Sequence, residues 1–305
     1  MVYDSSVEYE TLRCLAILTN VDETVLSLEV PAPLTIAKWS ADRAVRVLSQ
    51  LEFLAEHEVH ARLTGRYHAI TKDSTVLVVE GDVQIPSVKY PNERMAAEDA
   101  LVECLDEEIN LWRLVKDSSV EIVAIYLFHK TGEQLVFSFA QSSTWFPEQS
   151  VLTLSTSDVT ELAQLRFRSP LPFTQPYLEL ARDHFVQTFR TDDCKLKFLL
   201  LSIALEVLFN DGPSDIGYRI ARGVAVVLAR TREEGEQHFA QMKRFYKLRS
   251  DLVHKGVSGE IDLPKVLQLR SLLRRVIVGL ALRGLDKTAT LREIAASAYG
   301  AWPGT

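Results

Sequence analysis

Two prolines, Pro170 and Pro172, separate two parts of the chain that have different residue patterns. After them, apolar residues recur at helical spacing, and no segment alternates apolar and polar residues as a strand does. Proline fixes φ and lacks a backbone donor, so two prolines this close together end the preceding helix and restrict the chain. We therefore predict an α+β domain over residues 1–170, followed by an all-α domain over residues 171–305.

The first domain mixes strand-like and helix-like patterns. The predicted strands lie at 24–30 and 151–154 and in two hairpins, 75–79 with 83–85 and 120–129 with 134–140. The predicted helices run from Ala41 to about His60, from Pro91 or Asn92 through Leu114, and from a cap at Ser157. This domain contains no Gly-rich phosphate loop, no nucleophile elbow and no zinc-ligand spacing, so its sequence indicates no chemistry.

The second domain contains six segments with helical spacing, at 174–190, 194–210, 214–230, 232–254, 262–283 and 288–299. Ser214 is predicted to cap the third helix. Gly256 ends the fourth, and Asp262 with Pro264 opens the fifth, because proline is tolerated in the first turn of a helix.

Charge is distributed unevenly between the two domains. Residues 1–170 carry a net charge of −12, and residues 171–305 carry one of +5. An acidic domain is not typical of a nucleic-acid binder. The positive excess of the second domain is concentrated in Lys243, Arg244, Lys247 and Arg249, four cations within seven residues that include no acid. This cluster indicates either a phosphate-binding surface or simply a solvated helix face.

The composition, with 47% apolar and 25% charged residues, excludes disordered and fibrous proteins. Three cysteines, spaced 90 residues apart, favour neither a disulfide framework nor a zinc site. The longest apolar stretch, 198–209, already contains Ser202 and Glu206 and is shorter than the ~20 residues of a membrane span. Since no early segment has the pattern of a signal peptide, we expect a cytoplasmic protein that does not bind membranes.

The helix at 194–210 is apolar around nearly its whole circumference, which is typical of a buried helix. Its polar residues Ser202, Glu206 and Asn210 are four residues apart and share one stripe. Either Glu206 faces a cationic partner in a polar cavity, or the stripe is the solvent edge of the helix. Arg219 and Arg222 on the next helix are the candidate partners, because a guanidinium binds a carboxylate in a bidentate way.

A second polar group lies at the end of the fourth helix. Ser250 and Asp251 precede His254 by four and three residues, so either could orient the imidazole as a general acid/base, or could only cap and solubilise the helix end. Arg249 lies five residues before His254, roughly 140° away around an ideal helix. These two side chains converge only if the helix is locally broken or if the site is composed of two chains.

Residues from about Lys197 to Gly256 resemble the HEPN superfamily, in particular its Apea-like branch. The similar segments are Phe-Leu-Leu-Leu-Ser-Ile-Ala-Leu-Glu-Val-Leu-Phe (198–209), Tyr-Arg-Ile-Ala-Arg (218–222) and Phe-Tyr-Lys-Leu-Arg-Ser-Asp-Leu-Val-His (245–254). With the flanking helices, the resemblance covers about residues 174–284. Two features depart from the family pattern: Lys255 separates the motif histidine from the glycine, and Ser250 follows the motif arginine where many active nucleases carry Asn, Asp or His.

The resemblance implies a helical bundle that dimerises through its motif helices and cleaves RNA without a metal or other cofactor, in toxin, antiviral-defence or CRISPR-associated settings. The motif Arg249-x4-His254 then supplies the catalytic pair, and Glu206 matches the frequent acidic residue on the second helix. The residues expected to bind RNA are Lys243, Arg244, Lys247 and Lys255, with Tyr246 either stacking on a base or packing in the core.

Under this resemblance the expected partners are RNA, a second copy of the chain and, as a further option, a regulatory protein. His254 would act on the 2′-hydroxyl as an acid/base group, while Arg249 would stabilise the charge that develops on the phosphate. Two alternatives stay open at this point. One is a HEPN-type module that binds RNA, a nucleotide or a partner protein without cutting, and the other is a structural dimerisation domain.

Overall fold

The fold is described from a computed structural model, which covers residues 7–66, 68–71, 73–130, 134–140, 150–256 and 260–300. The chain divides into two compact units, Met1–Val159 and Thr160–Thr305. The division falls inside the helix α4 (Thr156–Arg168), whereas the sequence places the boundary just after that helix, at Pro170 and Pro172. The first unit is α+β, and the described part of the second unit contains helices but no strand.

The first unit is built on a five-stranded antiparallel sheet in the order β2-β3-β1-β4-β5. The strands are β1 (Tyr9–Thr19), β2 (Thr35–Ser40), β3 (Thr75–Pro86), β4 (Glu121–His129) and β5 (Gln134–Ala140). The hairpin of β4 and β5 confirms the prediction for 120–140. β1 occupies the centre of the sheet, and its residues from Ala16 to Thr19 are all buried, as expected for a strand paired on both edges.

The first predicted hairpin is wrong, because residues 75–85 form one uninterrupted strand. Glu80-Gly81-Asp82 resembles a turn, but Arg13 on β1 forms ion pairs with Glu80 (2.9 Å) and Asp82 (3.0 Å). These ion pairs hold both acids on one face of the sheet. Gly81 is needed because a Cβ there would lie 2.6 Å from the Pro33 carbonyl oxygen. Glu80 and Asp82 therefore form ion pairs across neighbouring strands and do not form a turn.

Other local predictions differ in detail. The segment 24–30 is not a strand: a short 3-10 helix (Glu23–Ser27) forms there, because Asp22 accepts a hydrogen bond from the Thr24 backbone N–H (2.9 Å). The helix predicted to reach His60 breaks at Phe53 into α1 (Ala41–Glu52) and α2 (Glu56–Ala61). The helix predicted from Pro91 is confirmed as α3 (Pro91–Val115), while 151–154 contributes only one bridge, Val21 to Leu152.

Glu121 is a buried carboxylate at the start of β4. Burial raises the pKa of Glu121 to about 7, with Asp106 adding to the shift and Arg113 opposing it. In the unfolded chain this carboxyl ionises near its ordinary value of 4.5, so the folded state binds more protons between pH 4.5 and 7. The stability that the protonated form contributes is therefore present below pH 4.5 and is lost as the pH rises through 7.

Glu121→Gln is expected to stabilise the first unit at pH 8 by on the order of 2–3 kcal/mol and to leave its stability unchanged at pH 4. The measurement is urea unfolding of both proteins at the two pH values, followed by tryptophan fluorescence, to which the buried Trp39 and Trp112 contribute. If the stabilities of wild type and variant changed equally between pH 4 and pH 8, the raised pKa of Glu121 would be contradicted.

The second unit consists of helices packed around one apolar core. After α4 these are α5 (Pro176–Gln187), α6 (Cys194–Phe209), α7 (Ile216–Leu228), α8 (Arg232–Lys255), α9 (Leu263–Arg283) and α10 (Lys287–Ala296). All six predicted helices are confirmed within a few residues at each end. Asp262 caps α9 as predicted, whereas Asp215, and not Ser214, occupies the N-cap of α7. α6 packs against α7 and α8 as well as against α5 and α9, and α7 packs against α8, so the three segments that resemble HEPN proteins adjoin one another.

Candidate functional site

The helix α8 carries both Arg249 and His254 and is unbroken from Arg232 to Lys255. It ends at Gly256, whose φ of 67° lies in the left-handed region that glycine favours. The alternative of a local break between the two residues is therefore wrong. On a continuous helix their side chains diverge by roughly 140°, so one copy of α8 cannot place both at one point.

Arg249 points toward α6 and pairs with Glu206. The distance between Arg249 Nη2 and Glu206 Oε1 is 2.9 Å, and the two side chains are 20% and 21% exposed. The Arg249 guanidinium also lies 5.9 Å from the centre of the Tyr246 ring. Glu206 therefore has a cationic partner, but that partner comes from α8 and not from α7.

The prediction that Arg219 or Arg222 pairs with Glu206 is wrong. Arg219 instead forms an ion pair with Asp211 in the connection before α7. Arg222 donates to the carbonyl oxygens of Ile294, Ala295 and Ser297, at 3.3, 3.2 and 2.9 Å. The last carbonyls of a helix lack partners within it, so Arg222 serves as a cap for the C-terminal end of α10.

The contact between Glu206 and Arg249 is close but not aligned as a hydrogen bond. Glu206 Oε1 and Arg249 Nε are buried atoms, and neither has a hydrogen-bond partner within the described residues. Buried polar atoms are nearly always paired, so two unpaired atoms in one ion pair call for an explanation. Arg249 Nε and Glu206 Oε1 thus form no hydrogen bond within the described residues, although Oε1 is ion-paired with Arg249 Nη2.

His254 lies in the last turn of α8 and is exposed. Throughout the described part of the chain no group forms a hydrogen bond or ion pair with its ring. Asp251 does not orient it, because Asp251 Oδ1 binds Lys255 Nζ at 2.6 Å. That ammonium holds the pKa of the Asp251 carboxyl below its usual range, so the carboxyl is ionised and paired at neutral pH. Ser250 is half-buried one turn before His254.

The predicted RNA-binding cations lie on the outer side of α8. Lys243, Lys247, Ser250 and His254 are spaced by four, three and four residues, which places them on one face of the helix. Lys243, Arg244 and Lys247 are exposed, and none of them is ion-paired with an acid of the described residues. Lys255 differs, because Asp251 already neutralises its charge.

Tyr246 packs against α7 within the second unit. A Cβ added to Gly217 of α7 would lie 2.5 Å from the Tyr246 ring, so the ring rests directly on the glycine backbone. The ring is half-buried, and stacking on a base would require it to leave this contact.

Gly217→Ala tests how tightly this contact is packed. We expect a loss of about 1–3 kcal/mol in the free energy of unfolding, because overpacking forces the ring or the helix to move. The matched control is Gly279→Ala on α9, where the nearest atom to the new Cβ is one Val227 methyl at 3.3 Å. The measurement is urea unfolding followed by far-ultraviolet circular dichroism. Equal stability of the two variants would contradict the close packing.

Beyond Lys195 at its start, the side of α6 that is not buried is apolar apart from Glu206, which the sequence alone did not indicate. The residues on this side are Leu196, Leu199, Leu200, Ile203, Glu206 and Val207, which we call the α6 face. Leu196 is 45% and Ile203 37% exposed. The predicted stripe of Ser202, Glu206 and Asn210 is not the solvent edge, since Ser202 is buried and donates to the Phe198 carbonyl oxygen (2.8 Å).

No protein-family model, curated protein or solved structure matches this chain. Among the described residues, no helix is both long enough and apolar enough to cross a bilayer. In the same residues, no three histidine, cysteine or acidic side chains come together in a way that could hold a metal ion.

Proposed function

We propose that the second unit is an endoribonuclease of HEPN type that needs no metal and whose active site forms where two copies of the chain meet. The observation that carries this proposal is the ion pair of Arg249 with Glu206. It joins α6 and α8, the two helices whose sequences carry most of the resemblance, through the motif arginine and the matching acid.

Two observations support a site composed of two copies. On the continuous helix α8, Arg249 and His254 diverge by roughly 140°, so a second helix is needed to bring such groups together. The α6 face adjoins Arg249 through Glu206, and Val253, four residues after Arg249 on the same side of α8, is 48% exposed. Contiguous apolar surface of this kind marks an interaction site. In a two-fold dimer each copy offers the same face to its partner.

The chemistry then follows from the residue types. His254 accepts the proton of the ribose 2′-hydroxyl, whose oxygen attacks the adjacent phosphorus. The bond from phosphorus to the 5′-oxygen breaks, and the proton taken by His254 passes through solvent to that leaving oxygen. The products are a 2′,3′-cyclic phosphate and a 5′-hydroxyl. Arg249 stabilises the negative charge that develops on the phosphate, and Glu206 acts as a positioning residue for Arg249.

Lys243, Arg244 and Lys247 are proposed to contact RNA phosphates, because they are exposed cations that form no ion pair with an acid of the described residues. Lys247→Ala should weaken RNA binding and reduce the slope of log affinity against log salt concentration by about 0.7. The control is Lys195→Ala, another exposed lysine of the same unit, at the start of α6. Binding measured by fluorescence anisotropy from low to high salt decides the matter, and a slope unchanged in the Lys247 variant counts against the assignment.

A second candidate function is RNA binding without cleavage. It is favoured by the surroundings of His254, since Asp251 is engaged by Lys255 and none of the described residues orients the imidazole. The two functions differ in one observable: a binding module retains RNA and yields no shorter product.

The proposed function is tested by incubating the full chain with labelled single-stranded RNA in the presence of a chelator. We expect fragments that end in a 2′,3′-cyclic phosphate, and no cleavage of DNA of the same sequence, because DNA lacks the 2′-hydroxyl. Retention of intact RNA under all conditions would favour the non-cutting module, and cleavage of DNA would contradict the mechanism.

A further inference from the structure

A groove of about 570 Å³ runs between α8 and α9, on a different side of α8 from the ion pair of Arg249 with Glu206. Its floor is apolar and consists of Phe245, Leu248 and Ile261. Ligand sites are typically concave, of this volume, and lined by apolar groups with a few polar ones that fix orientation. The groove has the dimensions and the lining of a site for one small ligand group.

Positive charge is concentrated on the α8 wall of the groove. Arg244 and Lys247 line it, and within the described part of the chain neither is in an ion pair with an acid. The acids that line the groove lie farther along, at Asp251 and Glu260, and Asp251 is already bound by Lys255. A phosphate would therefore bind beside Arg244 and Lys247, although the Lys247 charge also helps to lower the pKa of the Asp251 carboxyl one turn away.

The remaining polar lining consists of three side-chain amides and Lys265 of α9, whose ammonium is paired with Asp262. Gln237 and Gln241 of α8 and Gln268 of α9 border the groove. Each amide offers both a donor and an acceptor, which matches the edge of a nucleobase. An apolar floor, amides on both walls and cations on the α8 wall together fit a base with its attached phosphate.

The geometry points to a binding site for one unpaired nucleotide of a single-stranded RNA in the groove between α8 and α9. Its base would lie on the floor of Phe245 and Leu248, and its phosphate on Arg244 and Lys247. A duplex keeps its bases stacked and paired, so only single-stranded RNA can place a base there. The inference rests on the proposed function in one respect, namely that the ligand is RNA.

The position of the groove also gives it a role in choosing the bond that is cut. Lys247 and His254 are seven residues apart, which places them on one face of α8 and about 10 Å apart along its axis. A nucleotide held at Lys247 would thus fix which phosphate of the strand reaches His254. The groove would then determine the sequence context of cleavage instead of adding only affinity.

Gln268→Trp is designed to fill the groove without touching the proposed catalytic groups. Gln268 is exposed, so the fold should tolerate the larger side chain. Each protein carries His254→Ala to keep the RNA intact, and binding of fluorescent twelve-nucleotide single-stranded RNA and of a hairpin duplex is compared. We expect Gln268→Trp to weaken single-strand binding on the order of tenfold, the effect of losing one base contact. The matched control, Gln187→Trp on the exposed surface of α5, should bind like the parent.

The outcomes separate this inference from the proposed function. If Gln268→Trp binds single-stranded RNA as tightly as the control while Arg244→Ala binds it more weakly, the cations bind phosphate and the groove holds no base, which overturns the inference. Duplex binding as tight as single-strand binding would also overturn it. If the wild-type chain cuts no RNA but Gln268→Trp still weakens binding, the proposed nuclease function fails and the binding site stands.

Discussion

Replacing His254 by alanine should lower the rate of RNA cleavage by about 10²–10⁴-fold, the usual contribution of one general acid/base group. The same change should leave the stability of the chain within about 0.5 kcal/mol of wild type, because the imidazole is exposed and makes no hydrogen bond in the described part of the structure. A large catalytic loss without a loss of stability is the signature of a residue that acts on the substrate. Initial rates on a labelled single-stranded RNA measure the first quantity, and urea unfolding measures the second.

A loss of cleavage rate of comparable size is expected when Arg249 is replaced. Arg249→Ala should cost roughly 10²–10³-fold in rate, as expected for one group that stabilises transition-state charge. Arg249→Lys should recover little, because an ammonium cannot replace the planar guanidinium. His57→Ala, at an exposed histidine of the first unit, is the control and should cleave like wild type. Undiminished cleavage by His254→Ala would falsify the role given to that residue.

The second large effect is expected at the α6 face. Ile203→Glu places a carboxylate at the centre of the proposed interface, while in a single copy the side chain stays partly exposed to water. Burying an unpaired charge costs about 3–5 kcal/mol, which should weaken association of the copies by roughly 100-fold or more. The variant should therefore be a monomer at concentrations where the wild type is a dimer, and it should lose cleavage in parallel.

Leu180→Glu on α5 is the matched control for this experiment, since Leu180 is 47% exposed and lies outside the α6 face. Sedimentation velocity and cleavage rates are measured on the same preparations. Ile203→Glu that stays dimeric, or that cleaves normally as a monomer, would show that the α6 face is not the interface.

The helices of the second unit were predictable because their ends carry local signals. Asp262 accepts a hydrogen bond from the Lys265 backbone N–H, and Gly256 adopts the left-handed conformation that ends α8. Such caps depend on neighbours in sequence, so a sequence pattern contains them. The strand β3 shows the opposite case, since Glu80 and Asp82 remain in a strand only because Arg13 meets them from another part of the chain.

The sequence predicted which residues belong to the candidate site, but it did not predict which of them contact one another. Spacing drew attention to Glu206, Arg249 and His254, yet it assigned Glu206 to the wrong arginines, because the crossing of α6 with α8 is set by tertiary packing. Likewise, the sequence of an apolar helix surface does not show whether that surface is covered by the unit itself or by a partner. The exposure of Ile203 therefore became visible only in the folded unit.

The central claim is that Arg249 of one copy and His254 of another meet in one site, and complementation between two inactive variants tests it most directly. Arg249→Ala and His254→Ala are purified separately, mixed in equal amounts, allowed to exchange subunits, and assayed on single-stranded RNA. After random exchange, half of the two-fold dimers in the mixture are heterodimers, and each heterodimer retains one intact site of its two. The mixture should therefore regain about a quarter of the wild-type rate. A mixture that stays as inactive as its two components, although heterodimers form, would contradict the claim.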